Sequence, residues 1–232
     1  MRTTKATTTA GVPVTTSVSG DPTLLAALLD NKEPVEIRLE IVNGRPFYHI
    51  LRKIGPDEDQ AAAREEVIAG DPDKPVSIVI ERGSGDQERS ITISFTVTSD
   101  AAGLYQINIR VPNFSGSLPP ITTSLPLKVN EAAATVSAIA NDVENDITDI
   151  DMAWVEQGLQ NAKLNLKTLE LRQDPAKGEV VILYGTGFSQ KKLFGLIPVR
   201  HRTQVTIETQ GAQRLLEFEG FFFRRILKYF LW

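Results

Sequence analysis

The chain has 232 residues, 41% hydrophobic and 23% charged, the make-up of a folded globular protein rather than a disordered one. Its formal net charge of −4 argues against nucleic-acid binding by bulk electrostatics, and the absence of cysteine removes disulfides, thiolate metal sites and a cysteine nucleophile together. No stretch is apolar for the roughly 18 residues that suggest a membrane-crossing helix, and the polar segment Met1–Gly11 lacks the apolar block of a secretory signal. A cytoplasmic location is the default expectation, with a cell-envelope location left open.

Residues 1–20 are rich in Thr and Ser and read as a flexible tail, with a first edge strand over Val12–Val18 as the alternative. Asp21–Asp30 reads as a short capped helix. Val35, Ile37, Leu39 and Ile41 then alternate with polar residues, Asn43-Gly44 marks a turn, and Pro46–Lys53 forms a second strand. Asp57–Gly70 is acidic and Ala-rich and predicts a short inserted helix. Val76, Ile78 and Ile80 give a strand that turns at Gly83–Gly85. Ile91, Ile93, Phe95 and Val97 alternate, Asp100–Gly103 breaks the pattern, and Tyr105, Ile107, Ile109 and Val111 resume it. Leu125, Leu127 and Val129 supply a last strand.

The order strand, Asp, small residue, Gly, x, Tyr, strand resembles the E–F corner of an immunoglobulin-type sandwich. The block Val35–Gly55, with Gly44-Arg45-Pro46 between its strands and Arg52-Lys53 before Gly55, is similar to the B and C strands of the intermediate set. The resemblance covers roughly residues 35–130. It implies a two-sheet sandwich over 21–130 in which Tyr105 staples a corner. Leu39 and Ile107 stand where that family places its cysteines, and no Trp occupies the core position near Leu51 or Arg52, so the disulfide and its Trp partner are missing.

The second half predicts something else. Between Glu131 and Leu171 there is no Pro and a single Gly. Val136, Ile139, Val143, Ile147, Ile150 and Trp154 recur at helical spacing, continued by Val155, Leu159, Ala162, Leu166 and Leu169. One long helix is expected, or two broken near Asp149 and Asp151. Strands follow over Glu179–Tyr184, Thr203–Thr209 and Arg214–Phe221, with a hairpin turn at Gln210-Gly211. The expected fold class is thus an all-β, immunoglobulin-like sandwich followed by a smaller α+β domain over 131–232, a long helix covered by a three-stranded antiparallel sheet.

Reactive groups are few. His49 and His201 are the only histidines, and no Gly-x-Ser-x-Gly elbow occurs, so a hydrolase is kept only as a minor rival. Gly185-Thr-Gly187 lacks the rest of a phosphate loop and reads as a turn. Asp142, Asp146 and Asp149, with Glu144 and Asp151 near them, read as a solvated helix face rather than a cation site. No catalytic, cofactor or metal set is expected.

Charge is segregated in the second half. Residues 131–158 hold seven acids and no base, whereas residues 159–232 hold twelve bases and six acids. Two interpretations stand: the basic part packs beside the acidic helix, or Lys191, Lys192, Arg200 and Arg202 form a contact surface for an acidic partner, nucleic acid or anionic lipid. The C-terminal run Phe221–Trp232 places Phe223, Ile226, Leu227 and Phe230 on one helical face opposite Arg224, Arg225 and Lys228, and ends in Trp232. Such a segment packs on the domain's own sheet or a partner subunit, lies in a membrane interface, or docks to another partner. The expectation is a non-enzymatic interaction or structural subunit that binds a protein partner or a second copy of itself. A peripheral membrane protein docking through its tail is the alternative.

Overall fold

A computed structural model describes residues 2–7, 13–22, 24, 35–54, 62–83, 91–97, 104–111, 116–130, 133–193, 197–208 and 216–220. In chain order the first strands are β1 (Arg2–Thr7), β2 (Pro13–Ser19), β3 (Val35–Val42), β4 (Arg45–Ile54), β5 (Ala62–Ala69), β6 (Val76–Arg82), β7 (Ile91–Val97) and β8 (Tyr105–Arg110). They are followed by β9 (Ile121–Thr123), β10 (Leu127–Asn130), β11 (Thr135–Ala140), β12 (Val143–Asp146), helix α1 (Met152–Asn161), β13 (Leu164–Gln173), β14 (Val181–Leu193), β15 (Ile197–Glu208) and β16 (Leu216–Gly220).

Two sheets result. The larger has ten strands in the order β1-β2-β6-β7-β8-β9-β13-β14-β15-β16, and the smaller has six in the order β12-β11-β10-β3-β4-β5. Every neighbouring pair is antiparallel except β9 and β13. The alternation seen in the sequence is the reason. Val35, Ile37 and Leu39 of β3 point inward between the polar residues Glu36, Arg38 and Glu40, and Ile78, Ile80, Ile93 and Phe95 do the same for the larger sheet. Leu39 and Ile107 are both fully buried and belong to opposite sheets. One continuous apolar core runs from Val18 to Ile207.

Hairpin geometry sets the register. Asn43 and Gly44 have φ of 51° and 76°, the positive values that a tight two-residue turn between β3 and β4 demands. Asn141 and Asp142 repeat this between β11 and β12, with φ of 48° and 63°.

Several elements differ from the sequence expectation. The long helix over 131–171 is absent: β11 and β12 occupy its first third, α1 its middle and β13 its end. The 3-4 spacing there came from two sources. Val136, Ala138 and Ala140 alternate as a strand facing inward, and a β-bulge between Leu166 and Thr168 stretches the inward series of β13 to Leu164, Leu166, Leu169, Leu171. Val143 is 40% exposed, not core, while Ile147 and Ile150 are buried. The break near Asp151 is a true helix start, because its carboxylate accepts the Trp154 N–H at 2.9 Å as N-cap. Met152, Val155, Glu156 and Leu159 form the buried face of α1.

Within 57–70, residues 62–69 form β5 rather than a helix, since pairing along β4 outweighs even the strong intrinsic helix propensity of alanine. Residues 2–7 and 13–19, read as a tail, are paired strands. Hydrogen-bonded pairing crosses the boundary drawn at residue 130, because β10 pairs with β11 and β9 with β13. The sheet of the second half has four antiparallel strands, β13 to β16, not three. The tyrosine-corner side chain of Tyr105 and the segments 98–103 and 209–215 lie outside the described residues.

Tyr48, 1% exposed, caps one end of the core beneath Gly70, where any Cβ would come within 2.5 Å of its ring. Burial pushes its phenol pKa well above the usual value, and the nearby Asp21 carboxylate adds to the shift. The sign follows from linkage. A raised folded pKa contributes stability that is complete below the unfolded value near 10 and is lost as pH rises toward the folded one. Tyr48→Phe should therefore lose less stability than the parent between neutral and strongly alkaline buffer, read as urea midpoints. A second expectation concerns Phe95, fully buried in the middle of the larger sheet's inner layer. Phe95→Ala should cost about 3–5 kcal/mol, visible as a large drop in the same midpoint.

Candidate functional site

The outer face of β13, β14 and β15 gathers aromatic rings and cations. Inward positions of β14 are Leu183, Gly185, Gly187 and Ser189, all buried, so Tyr184, Thr186 and Phe188 face outward. Register sets Phe188 between Asn165 of β13 and Arg202 of β15. The guanidinium carbon of Arg200 lies 4.2 Å from the Phe188 ring centre, and the Lys167 Nζ lies 5.1 Å from it. Further along, Arg172 stacks on Tyr184 at 3.4 Å. Cations over a ring are attracted by its quadrupole, worth about 0.5–1 kcal/mol at exposed sites.

Two glycines bring these strands together. A Cβ on Gly187 would fall 2.2 Å from the Asn165 carbonyl oxygen, and one on Gly185 would fall 2.7 Å from Val205 Cγ1. They serve a close approach of backbones beside the β13 bulge, not the turn expected for Gly185-Thr-Gly187. The bulge itself lets Lys167 and Thr168 both lie exposed, and Thr168 Oγ1 meets Thr186 Oγ1 across the strands at 2.6 Å.

Charge is graded along the β14–β15 hairpin. Glu170 and Glu208 stand toward its base, with Glu208 held by Lys177 at 2.8 Å. Between Glu179 and Glu208 the sequence has no acid and contains Lys191, Lys192, Arg200 and Arg202. Arg200 and Arg202 are exposed, and no carboxylate pairs with either among the described residues. Register sets Lys191 opposite Val199 and Lys192 opposite Pro198. Four of the sequence-predicted contact residues thus fall on one hairpin. Phe223, Arg224, Arg225, Ile226, Leu227, Lys228, Phe230 and Trp232 lie outside the described residues. Sequence reasoning missed Lys167, Arg172, Tyr184 and Phe188. The alternation Tyr184-x-Thr186-x-Phe188 carried the signal for the two aromatics, but β13 with its cations was hidden inside the expected helix.

Other polar clusters have different chemistry. On the outer face of the smaller sheet, His49 Nδ1 meets Glu65 at 2.8 Å and its Nε2 meets Glu40 at 3.6 Å, while Arg38 reaches Glu40 at 3.4 Å. Lys128 bridges Glu36 and Glu144 across β10, β3 and β12. The groups around His49 are carboxylates and a guanidinium, the makings of an ion ladder. Asp142, Asp146 and Asp149, read as a helix face, are spread over the β11–β12 hairpin and the turn after it. Asp146 accepts the Thr148 N–H at 2.8 Å, and Asp149 lies 3.7 Å from Arg82. No group of three or more metal-ligating side chains exists among the described residues. A cleft of about 590 Å³ opens where β8 continues past the short β9, lined by Asn108, Arg110, Leu118, Pro119, Pro120 and Met152 among others. Beside it Ser117 donates to the buried Glu156 carboxylate.

The chain matches no family model, no curated protein and no solved structure. Gly187→Ala should push β13 and β14 apart at the bulge and cost about 1–3 kcal/mol, the usual range for overpacking, measured by thermal or urea unfolding.

Proposed function

We propose that this protein is a non-enzymatic interaction module, a β-sandwich that presents the basic, aromatic end of β13–β15 to an acidic surface of a partner. The observation that carries this reading is Phe188, overlaid by Arg200 and Lys167, with Arg202 beside it in a stretch free of acids. Stacking on a ring holds a guanidinium in place, so less side-chain freedom is lost when it meets a carboxylate or phosphate. The likeness of residues 35–130 to intermediate-set immunoglobulin domains belongs to the same proposal: interaction would be the ordinary use of such a scaffold.

A measurement on the purified chain tests it. A protein of net charge −4 should flow through a sulfonate resin at neutral pH. The patch predicts retention at low salt and release as the Debye length shortens toward about 8 Å at physiological salt. Arg200→Glu with Arg202→Glu should abolish that retention while leaving the melting temperature within a few degrees of the parent. Unaltered retention in the double variant, with loss on Arg224→Ser and Arg225→Ser instead, would move the contact surface to the C-terminal run.

A further inference from the structure

Two guanidiniums on the outer face of β13–β15 are stacked on rings, Arg200 on Phe188 at 4.2 Å and Arg172 on Tyr184 at 3.4 Å. The two rings stand four residues apart on β14, about 14 Å at 3.4 Å per residue. The row between them is neutral, with Thr168 of β13, Thr186 of β14 and Gln204 of β15 side by side in register. Lys167 reaches the Phe188 ring from the other neighbouring strand, at 5.1 Å, and Arg202 is paired directly opposite Phe188. Lys167, Thr168, Arg200 and Arg202 are all exposed, so a ligand can reach the face.

The arrangement of chemistry on this face selects the ligand. Three exposed cations around one ring call for a polyanion. Stacked guanidiniums add flat surfaces, and nucleobases stack on such surfaces. The neutral row between the stacks donates and accepts hydrogen bonds, as the edges of nucleobases and the hydroxyls of sugars require. An acidic peptide would complement the cations but has no planar group to set on the stacks. In a duplex the nucleobases cover one another, so a sheet face meets them only in a single strand. Glu170 is in register with Tyr184, which places the phosphates toward Phe188 and a nucleobase or sugar toward Tyr184. The net charge of −4 does not oppose this, because fields in physiological salt decay over about 8 Å and the nearby cations govern contact.

We infer that the outer face of β13–β15 binds single-stranded nucleic acid. Lys167 and Arg202 engage its phosphates, and its nucleobases stack on Arg200 and Arg172, the guanidiniums that Phe188 and Tyr184 hold in place. This rests on the reading of the basic, aromatic face as a contact surface and names its partner.

The test titrates the full chain, by fluorescence anisotropy, against labelled single strands of about twelve nucleotides, one RNA and one DNA. Binding that weakens as salt rises is expected. A strand of the same length built on abasic sugars should bind at least about tenfold more weakly, since stacking contributes on the order of a tenfold factor per nucleobase. Phe188→Leu removes the ring and Arg200→Lys removes the flat guanidinium, and both keep the positive charge. Each should weaken oligonucleotide binding severalfold while leaving retention on the sulfonate resin intact. Unchanged oligonucleotide affinity in both variants would overturn the stacked geometry. Retention on the resin without binding of either strand would overturn the nucleic-acid assignment and keep the contact surface. Equal binding of the intact strand, the abasic strand and soluble polyglutamate would reject nucleic acid in favour of an acidic protein. Neither retention nor oligonucleotide binding would overturn both readings. Variants are compared with the parent by melting temperature, and Arg200→Lys carries the test where Phe188→Leu fails to fold.

Discussion

The larger sheet depends on β9, a strand three residues long. Strands β1, β2 and β6 to β8 come from the first half of the chain and β13 to β16 from the second, and β9 alone lies between them. Its Ile121 and Thr123 are buried. Parallel pairing is the weaker kind per residue, and here it is reinforced from the side chains. Thr123 Oγ1 donates to the Leu171 carbonyl at 2.7 Å, and Thr122 Oγ1 donates to the Leu169 carbonyl at 3.4 Å. The preceding Pro119 and Pro120 carry no N–H and so do not extend the ladder toward β13. Both prolines line the cleft beside β8.

A parallel neighbour requires a long crossover, and the chain between β9 and β13 spends it on the other sheet. It runs through β10, β11 and β12, then crosses back by way of α1. The return is fastened by Asn145, 1% exposed at the edge of the smaller sheet. Its amide donates to the carbonyls of Val143 and Glu179, and its oxygen accepts the Val181 N–H at 3.2 Å, where β14 of the larger sheet begins. A buried amide stays cheap only when its donors and acceptors are met. Asn145 meets them by tying the two sheets together, and so fixes the base of the hairpin that carries the basic face.

Local alternation made the strands of the first half legible, because each has one buried and one outward face and few irregularities. Val35–Ile41, Ile91–Val97 and Tyr105–Val111 could be read directly, and Asn43-Gly44 named its own turn. The second half hid its strands in two ways. The Asn141-Asp142 turn takes the same positive φ as Asn-Gly without the glycine that makes that signal strong, and the residues around it include three small ones, Ala138, Ala140 and Ser137, which carry little β signature. In β13 the bulge at Lys167 converted a two-residue period into a three-residue step, and a helical period fits such a series as well as a bulged strand does. Register information lies in the partner strand, where Gly185 and Gly187 make room for Leu166 and Asn165, and no local window contains both. The bases of the hairpin were visible as a run without acids. The ring that organises them was not, since it needed β13 and β15 on either side.

The segregation of charge in the second half then takes on a different meaning. Acids on one helix could have neutralised the bases that follow, which was the simplest interpretation of the sequence. Five of the seven acids of 131–158 instead do local work on the fold: Asp151 caps α1, Asp146 orders the turn at Thr148, and Glu156 accepts from Ser117. Glu144 pairs with Lys128, and Asp149 lies within ion-pair range of Arg82, both bases of the first half. Meanwhile Arg200 and Lys167 are held by an aromatic ring, which positions a cation without cancelling its charge. An exposed carboxylate at that place would hold them about as well, at about 0–1 kcal/mol, but would cancel their charge. Phe188 instead gathers Arg200 and Lys167 on the outer face of β13–β15 with their charge intact.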